Sequence, residues 1–306
     1  MSECLTFEVK SEDSGKRADL FLAEKMPELS RSRVTKLISE GNVFPQVKPS
    51  FKVSEGEVYK VTLPEAQPIE AIPQDIPLEI LYEDSDVIVI NKPKQMVVHP
   101  DNTHHEGTVV NALLHHCGDL SGVGGQLRPG IVHRIDMDTT GSVIVCKNDL
   151  AHASIAAQLK EHSITRKYLA IALGHFKIKE GTVDAPIARS EKDRKKMAVA
   201  KVPSKGKRAV THYRVLEEYE DYSLVECVLE TGRTHQIRVH LSHIHHPILG
   251  DEVYGNSGIN KKYKDLQGQC LHAYILGFVH PVTGEYIETK APVPDYFAKL
   301  AKGYRF

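Results

Sequence analysis

The chain has 306 residues and a formal net charge of −1, with 41% apolar and 26% charged residues. That length leaves room for two domains, the balance is that of ordinary globular proteins, and no run approaches the ~20 apolar residues of a membrane helix. The acidic start, MSECLTFEVKSEDSGKR, lacks the apolar centre of a signal peptide, so a cytoplasmic protein with no membrane association is expected.

In chain order, GKRADLFLAEKM spaces Ala18, Phe21, Leu22 and Met26 at helical intervals until Pro27 breaks the pattern. Ser30 then suits the cap of a second helix, RSRVTKLISE, with Val34, Leu37 and Ile38 inward, Arg31, Arg33 and Lys36 outward, and Gly41 as its stop. Two β-prone runs follow, VFPQV and VYKVTLP, with a turn at SEGE. Four prolines between 64 and 78 mark an extended linker. LEILYEDSDVIVINKP predicts two strands joined by an acidic turn, and further strands are expected in GSVIVCKN, YLAIALGHF, THYRVLEEY and YSLVECVLE. Helices are expected near 108–116 and 150–162. Many strands with few helices point to an α+β domain on a mixed or antiparallel sheet.

Cys4, Cys117, Cys146, Cys227 and Cys270 form no CxxC pair, so neither a disulfide framework nor a thiolate zinc site is expected. His240, His243, His245 and His246 cluster, but without HExxH and without an acidic residue in the run, so no metal site is assigned there. Charge is segregated along the chain. Residues 160–214 hold 15 Lys or Arg against 5 Asp or Glu, including Arg189, Lys192, Arg194, Lys195 and Lys196. Such a field attracts polyphosphate even on a neutral protein.

The most informative stretch is Gly130-IVHRIDMDTTGSVIVCKN, where a polar turn carries Asp136 and Asp138 into a strand, a common place for functional groups. HRIDMDTTG resembles the HRLD-x-D-T-S/T-G signature of the RluA family of pseudouridine synthases. NKPKQMVVHP, TRKYLAIALGH, ETGRTHQIRVHLSHIHHPILGDEVYG and KAPVPDYF resemble the same family, so the likeness runs from about 75 to 297. The RluD branch, which acts on large-subunit rRNA, is the most similar in its linker wording and in KMAV and KRAVTHYRV. The helix pair and small sheet in front resemble an S4-type RNA-binding module, although Pro45-Gln46 stands where that module usually turns on Asn-Gly. Met137 and Ile135 depart from the residues usual at those positions.

The resemblance implies an S4-like α/β module over 1–64, a linker over 65–78, and a pseudouridine synthase catalytic domain of α+β class over 79–306. It implies an isomerase that detaches N1 of uracil from ribose and rejoins the base through C5, with no cofactor and no metal. It assigns Asp136 as nucleophile or base, Arg233 as the arginine paired with it, and Tyr168 as the active-site tyrosine. Arg134 would fill the gap left by a flipped nucleotide. His133 is read as structural or as a phosphate contact, and Arg189, Lys195, Lys196, Arg31 and Arg33 are expected to bind RNA. The expected partner is RNA, rRNA first and tRNA second, with the protein a monomer. A glycoside hydrolase would want a second carboxylate, for which Asp138 is the candidate. An RNA-binding module without chemistry would need neither acid.

Overall fold

The computed structural model describes residues 3–27, 31–63, 71–101, 103–117, 120–121, 129–193 and 196–306. It divides into two compact units, Met1–Pro68 and Ile69–Phe306. Ser30 and residues 64–70 of the expected linker lie outside the described residues.

The first unit packs helices α1 (Ala18–Lys25) and α2 (Arg31–Ser39) with strands β1 (Glu3–Glu8), β2 (Val43–Phe44) and β3 (Val58–Leu63). The strands form an antiparallel sheet in the order β1-β3-β2. The helical spacing predicted its core: Ala18, Phe21, Leu22, Met26, Val34, Leu37 and Ile38 are all buried, against Val43, Tyr59 and Val61. Each of the larger apolar side chains among these contributes roughly 1.5–3 kcal/mol through burial. VFPQV yields only a two-residue strand. It ends at the cis Phe44–Pro45 bond, and Pro45 has no N–H for a ladder. β1 was not anticipated, since its Leu5 and Phe7 are only partly buried and leave a weak signal.

The second unit is built on a nine-stranded sheet ordered β4-β5-β6-β13-β7-β12-β11-β8, with β14 on β13. The strands are β4 (Glu79–Glu83), β5 (Val87–Lys92), β6 (Thr140–Cys146), β7 (Thr165–Leu173), β8 (Glu180–Asp184), β11 (Val210–Glu218), β12 (Tyr222–Leu229), β13 (Leu271–Val279) and β14 (Tyr286–Lys290). A separate hairpin pairs β9 (Ile187–Arg189) with β10 (Met197–Val199). Pairing is antiparallel except between β6 and β13, which makes the sheet mixed.

Successive side chains of a strand point to opposite faces, and here both faces are covered. Val87 and Val89 of β5 join Ile144 and Cys146 of β6 beneath Ala151 and Ile155 of α4 (Asp149–Glu161). Ile88, Ile90, Val143 and Val145 join the larger core on the other face, with Val109 and Leu113 of α3 (Val109–Cys117), Ile237 and Leu241 of α5 (Gln236–His243) and Phe297 of α7 (Asp295–Leu300). This two-sided burial is why VIVIN and GSVIVC read as continuous apolar runs. A short α6 spans Ser257–Asn260. Among the described residues no helix is long and apolar enough to cross a membrane.

Two features position the site. β6 starts against β13 through His272↔Thr140 and Ala273↔Gly141. There a Cβ on Gly141 would fall 2.2 Å from the Ala273 carbonyl oxygen, at a φ of +108°, so only glycine fits. The helix α5 was not anticipated because its polar residues turn inward. Gln236, Arg238 and His240 are buried, the reverse of what an amphipathic pattern assumes.

Candidate active site

Asp136 stands in the turn that leads into β6, at the edge of a cleft of about 450 Å³, a volume in the range of small-molecule sites. Arg134, Lys160, Arg166, Arg233 and Arg238 line this cleft together with Tyr168, and Asp136 is the one carboxylate among its lining residues. A cleft with five permanent or near-permanent cations and one acid is suited to a polyanion.

Arg238 reaches from α5 and donates from Nη1 to Asp136 Oδ2 at 2.8 Å. Its other face is gripped by Asp251, with Nε to Oδ2 at 2.7 Å and Nη2 to Oδ1 at 3.0 Å. Asp251 is completely buried and accepts further bonds from the Val253 and Tyr254 amides. Burial pushes the Asp251 carboxyl up, but Arg238 and these amides outweigh it and hold it below its ordinary value. Burial likewise opposes the charge on Arg238, and its two carboxylates more than restore it. A bidentate arginine–carboxylate pair fixes direction as well as charge, so Asp251 aims Arg238, and Arg238 aims Asp136.

Tyr168 projects from β7 into the cleft and is buried. Burial lifts its phenol above the ordinary range, with Arg166 opposing and Asp136 adding to the rise. Arg166, two residues earlier on the same face of β7, is itself buried and donates to the Glu230 carbonyl at 2.9 Å. Beneath the site, Lys92 is fully buried. Its Nζ donates to the carbonyls of Pro93, Met96 and Met137, each at 2.8 Å, matching the three hydrogens of an ammonium. Burial lowers its pKa to about 7, against the pull of Asp138 and Asp136.

The structure corrects one assignment. Arg233 lines the cleft, but its Nε donates to the Arg208 carbonyl at 2.9 Å, and the arginine paired with Asp136 is Arg238. GRTHQIR contains both arginines. Arg233 falls in the loop before α5 and Arg238 on its inward face, a distinction that depends on seeing the helix. Asp251, in ILGDEVYG, was also missed.

Arg134 is exposed and lines the cleft. His133 accepts from the Ile144 amide through Nε2 at 3.1 Å, and burial, helped by Arg166, pushes it down to about 3. The ring is therefore neutral, with Nε2 committed to the backbone, while the residue still lines the cleft. Lys196 donates to the Val253 carbonyl at 3.0 Å, while Arg189 is exposed at the end of β9. Arg31 belongs to the first unit, where it pairs at 2.9 Å with the buried Asp19. The side chains of Arg33 and Lys195 lie outside the described residues. Asp138 does not line the cleft; it abuts Gly268, where a Cβ would come within 2.5 Å of its own. In the histidine run, both ring nitrogens of His240 are bonded, to Thr211 Oγ1 and the Ala185 carbonyl, each at 2.9 Å.

Residues 86–243 match the RNA pseudouridylate synthase family. The chain is 48% identical over 297 residues to the uncharacterized RNA pseudouridine synthase YlyB of Bacillus subtilis (strain 168), covering 96% of each. It is 49% identical to the ribosomal large subunit pseudouridine synthase D of Zymomonas mobilis, covering 94% of this chain and 93% of that one. Among solved structures, human RNA pseudouridylate synthase domain containing 1 is similar with a TM-score of 0.60 at 26% identity, covering 78% of this chain and 89% of the human one. A cleft rich in cations around a single oriented acid, on a chain of this descent, leads to one conclusion: the protein belongs to the RNA pseudouridine synthases, isomerases that convert uridines in RNA to pseudouridine.

Proposed function

We propose that Asp136 is the catalytic carboxylate and that the substrate is a uridine in large-subunit ribosomal RNA, modified in the cytoplasm. The observation that carries the assignment is the division of labour on this acid, which lines the cleft: Arg238 occupies Oδ2, while among the described residues Oδ1 accepts no hydrogen bond. That oxygen either bonds to C1′ or removes the C2′ proton, and the C1′–N1 bond breaks with its electron pair staying on the base. The base turns, and C5 bonds to C1′ as the acid lets go of C1′ or returns the proton to C2′. C5 loses its proton to solvent while N1 takes one up. Tyr168, kept neutral by burial, offers its ring as a stacking platform, worth ~1–3 kcal/mol for one base. Arg134 fills the place of the extruded nucleotide, offsetting part of an extrusion cost of a few kcal/mol. Support for the rRNA target comes from similarity to relatives such as the ribosomal large subunit pseudouridine synthase D of Zymomonas mobilis. The first unit, a helix pair on a three-stranded sheet, serves as an S4-like RNA-binding module.

The test is tritium release from RNA containing 5-tritiated uridine. Asp136→Asn should abolish release while RNA affinity stays within about twofold, because the substitution removes one charge among many contacts. Near-normal turnover by that variant would overturn the assignment. Carbodiimide mapping of rRNA with and without the gene identifies the uridine, and an unchanged rRNA map would move the target elsewhere.

A further inference from the structure

His235 lies between Arg233 and α5 in a backbone conformation that side chains seldom adopt, with φ at +55° and ψ at 22°. Strained residues persist where the surrounding structure holds them and cluster at functional sites. Its ring lines the cleft. On one side, Nε2 stands 3.8 Å from Asp136 Oδ1. On the other, Nδ1 meets the Tyr254 hydroxyl at 2.9 Å.

Tyr254 decides which nitrogen carries the proton. Its oxygen accepts the Met197 amide hydrogen at 2.8 Å. Among the described residues, His235 Nδ1 is the acceptor in reach of the hydroxyl's own hydrogen. Donation there makes Nδ1 the acceptor and leaves the proton on Nε2, because a neutral imidazole carries one N–H and the bond made by one nitrogen sets the other. Burial depresses the ring's basicity, although Asp136 pulls the other way, so the ring is neutral and its tautomer matters.

We propose that His235 is a positioning residue for the isomerisation, its Nε2–H holding Asp136 Oδ1 toward the cleft and Tyr254 holding that tautomer. This rests on the reading of Asp136 as the catalytic acid. The separation suits the task. A full hydrogen bond to Oδ1 would have to break before that oxygen could reach the ribose. At 3.8 Å, beyond hydrogen-bond distance, the N–H presents only the positive end of its dipole to Oδ1 and leaves the lone pairs open. Arg238 thus fixes one oxygen and His235 biases the other. Tyr254 also spreads its ring beside the Arg238 guanidinium, 5.2 Å from Cζ to centroid, so one tyrosine touches both supports of the acid.

Single-turnover rates with saturating enzyme, paired with RNA dissociation constants, test the proposal on the full chain. His235→Leu removes the N–H and should slow the chemical step on the order of tenfold, as misplacement of a reacting group does. His235→Gln shares the backbone strain but returns an N–H near the place of Nε2, and should recover to within about threefold of wild type. Tyr254→Phe keeps the ring beside Arg238, removes only the hydroxyl, and should slow the step with RNA affinity unchanged. Wild-type rates in His235→Leu and Tyr254→Phe would overturn the proposal. So would equal losses in the Leu and Gln variants, which indicate packing, or losses confined to affinity, which indicate direct binding of RNA by the ring. Asp136→Asn is the control. If it is active, the reading of the acid fails; if it is inactive while His235→Leu runs at full rate, only the role of His235 fails.

Discussion

Arg238 shares its donors between the buried carboxylate of Asp251 and that of Asp136, the proposed catalytic acid. Replacing it by Gln should therefore have two consequences. Turnover should fall on the order of a hundredfold as Asp136 loses its orientation, and the folded state should lose about 3–5 kcal/mol because Asp251 is left charged and unpaired in the interior. Arg233→Gln removes a cation from the cleft wall but leaves the grip on Asp136 intact, and should cost less than about tenfold in turnover with no change in melting temperature. Rates and thermal melts of the two variants, measured side by side, check this; the opposite ranking would restore Arg233 as the partner. At this scale motif wording picked out Asp136, Tyr168 and Arg134, and the fold brings all three to the lining of one cleft. The wording did not separate two arginines five positions apart in one motif, since partner choice depends on which turn of a helix faces the cleft.

At the scale of elements, the legible parts were those whose burial follows a simple period. The two helices of the first unit and the strands β4 to β7, β11 and β12 all announce themselves through apolar spacing. β8 to β10, β14 and α5 do not, because they are short, half-exposed, or carry polar residues inward, whereas β13, a nine-residue and mostly apolar strand, was overlooked despite a legible run. The β9–β10 hairpin lies within the basic segment and is tied down by Lys196 and the Met197 amide. Lys192, and beyond the hairpin Lys201, Lys205 and Lys207, are exposed. RNA affinity should fall steeply as salt rises. Changing these four lysines to Gln should flatten the plot of log affinity against log salt by roughly 0.7–0.9 for every phosphate that is no longer neutralised. A slope identical to wild type would show that RNA does not lie along this segment.

Considered as a whole, the molecule buries histidines that bear on its response to acid. His240 and His272 are completely buried. Burial pushes both below the ordinary value, His272 to about 4. An unfolded histidine binds a proton near pH 6.5, so below that point the unfolded chain takes up protons that these rings refuse. Their contribution is fully present above pH 6.5 and declines as pH falls toward 4, with each histidine adding up to about 1.4 kcal/mol per pH unit to the slope. Denaturant melts should show stability dropping between pH 6.5 and 5, before most carboxylates titrate. A flat profile across that interval would contradict the buried, neutral state of these rings.

The amine of Lys92 latches the turn that carries Asp136 by its main chain, through the Met137 carbonyl, and asks nothing of the side chain that position carries. A change of side chain at residue 137, which is exposed at 37%, therefore leaves this latch in place. Met137→Lys should thus alter RNA affinity without altering the melting temperature, and a lowered melting temperature would show that the side chain also carries the turn.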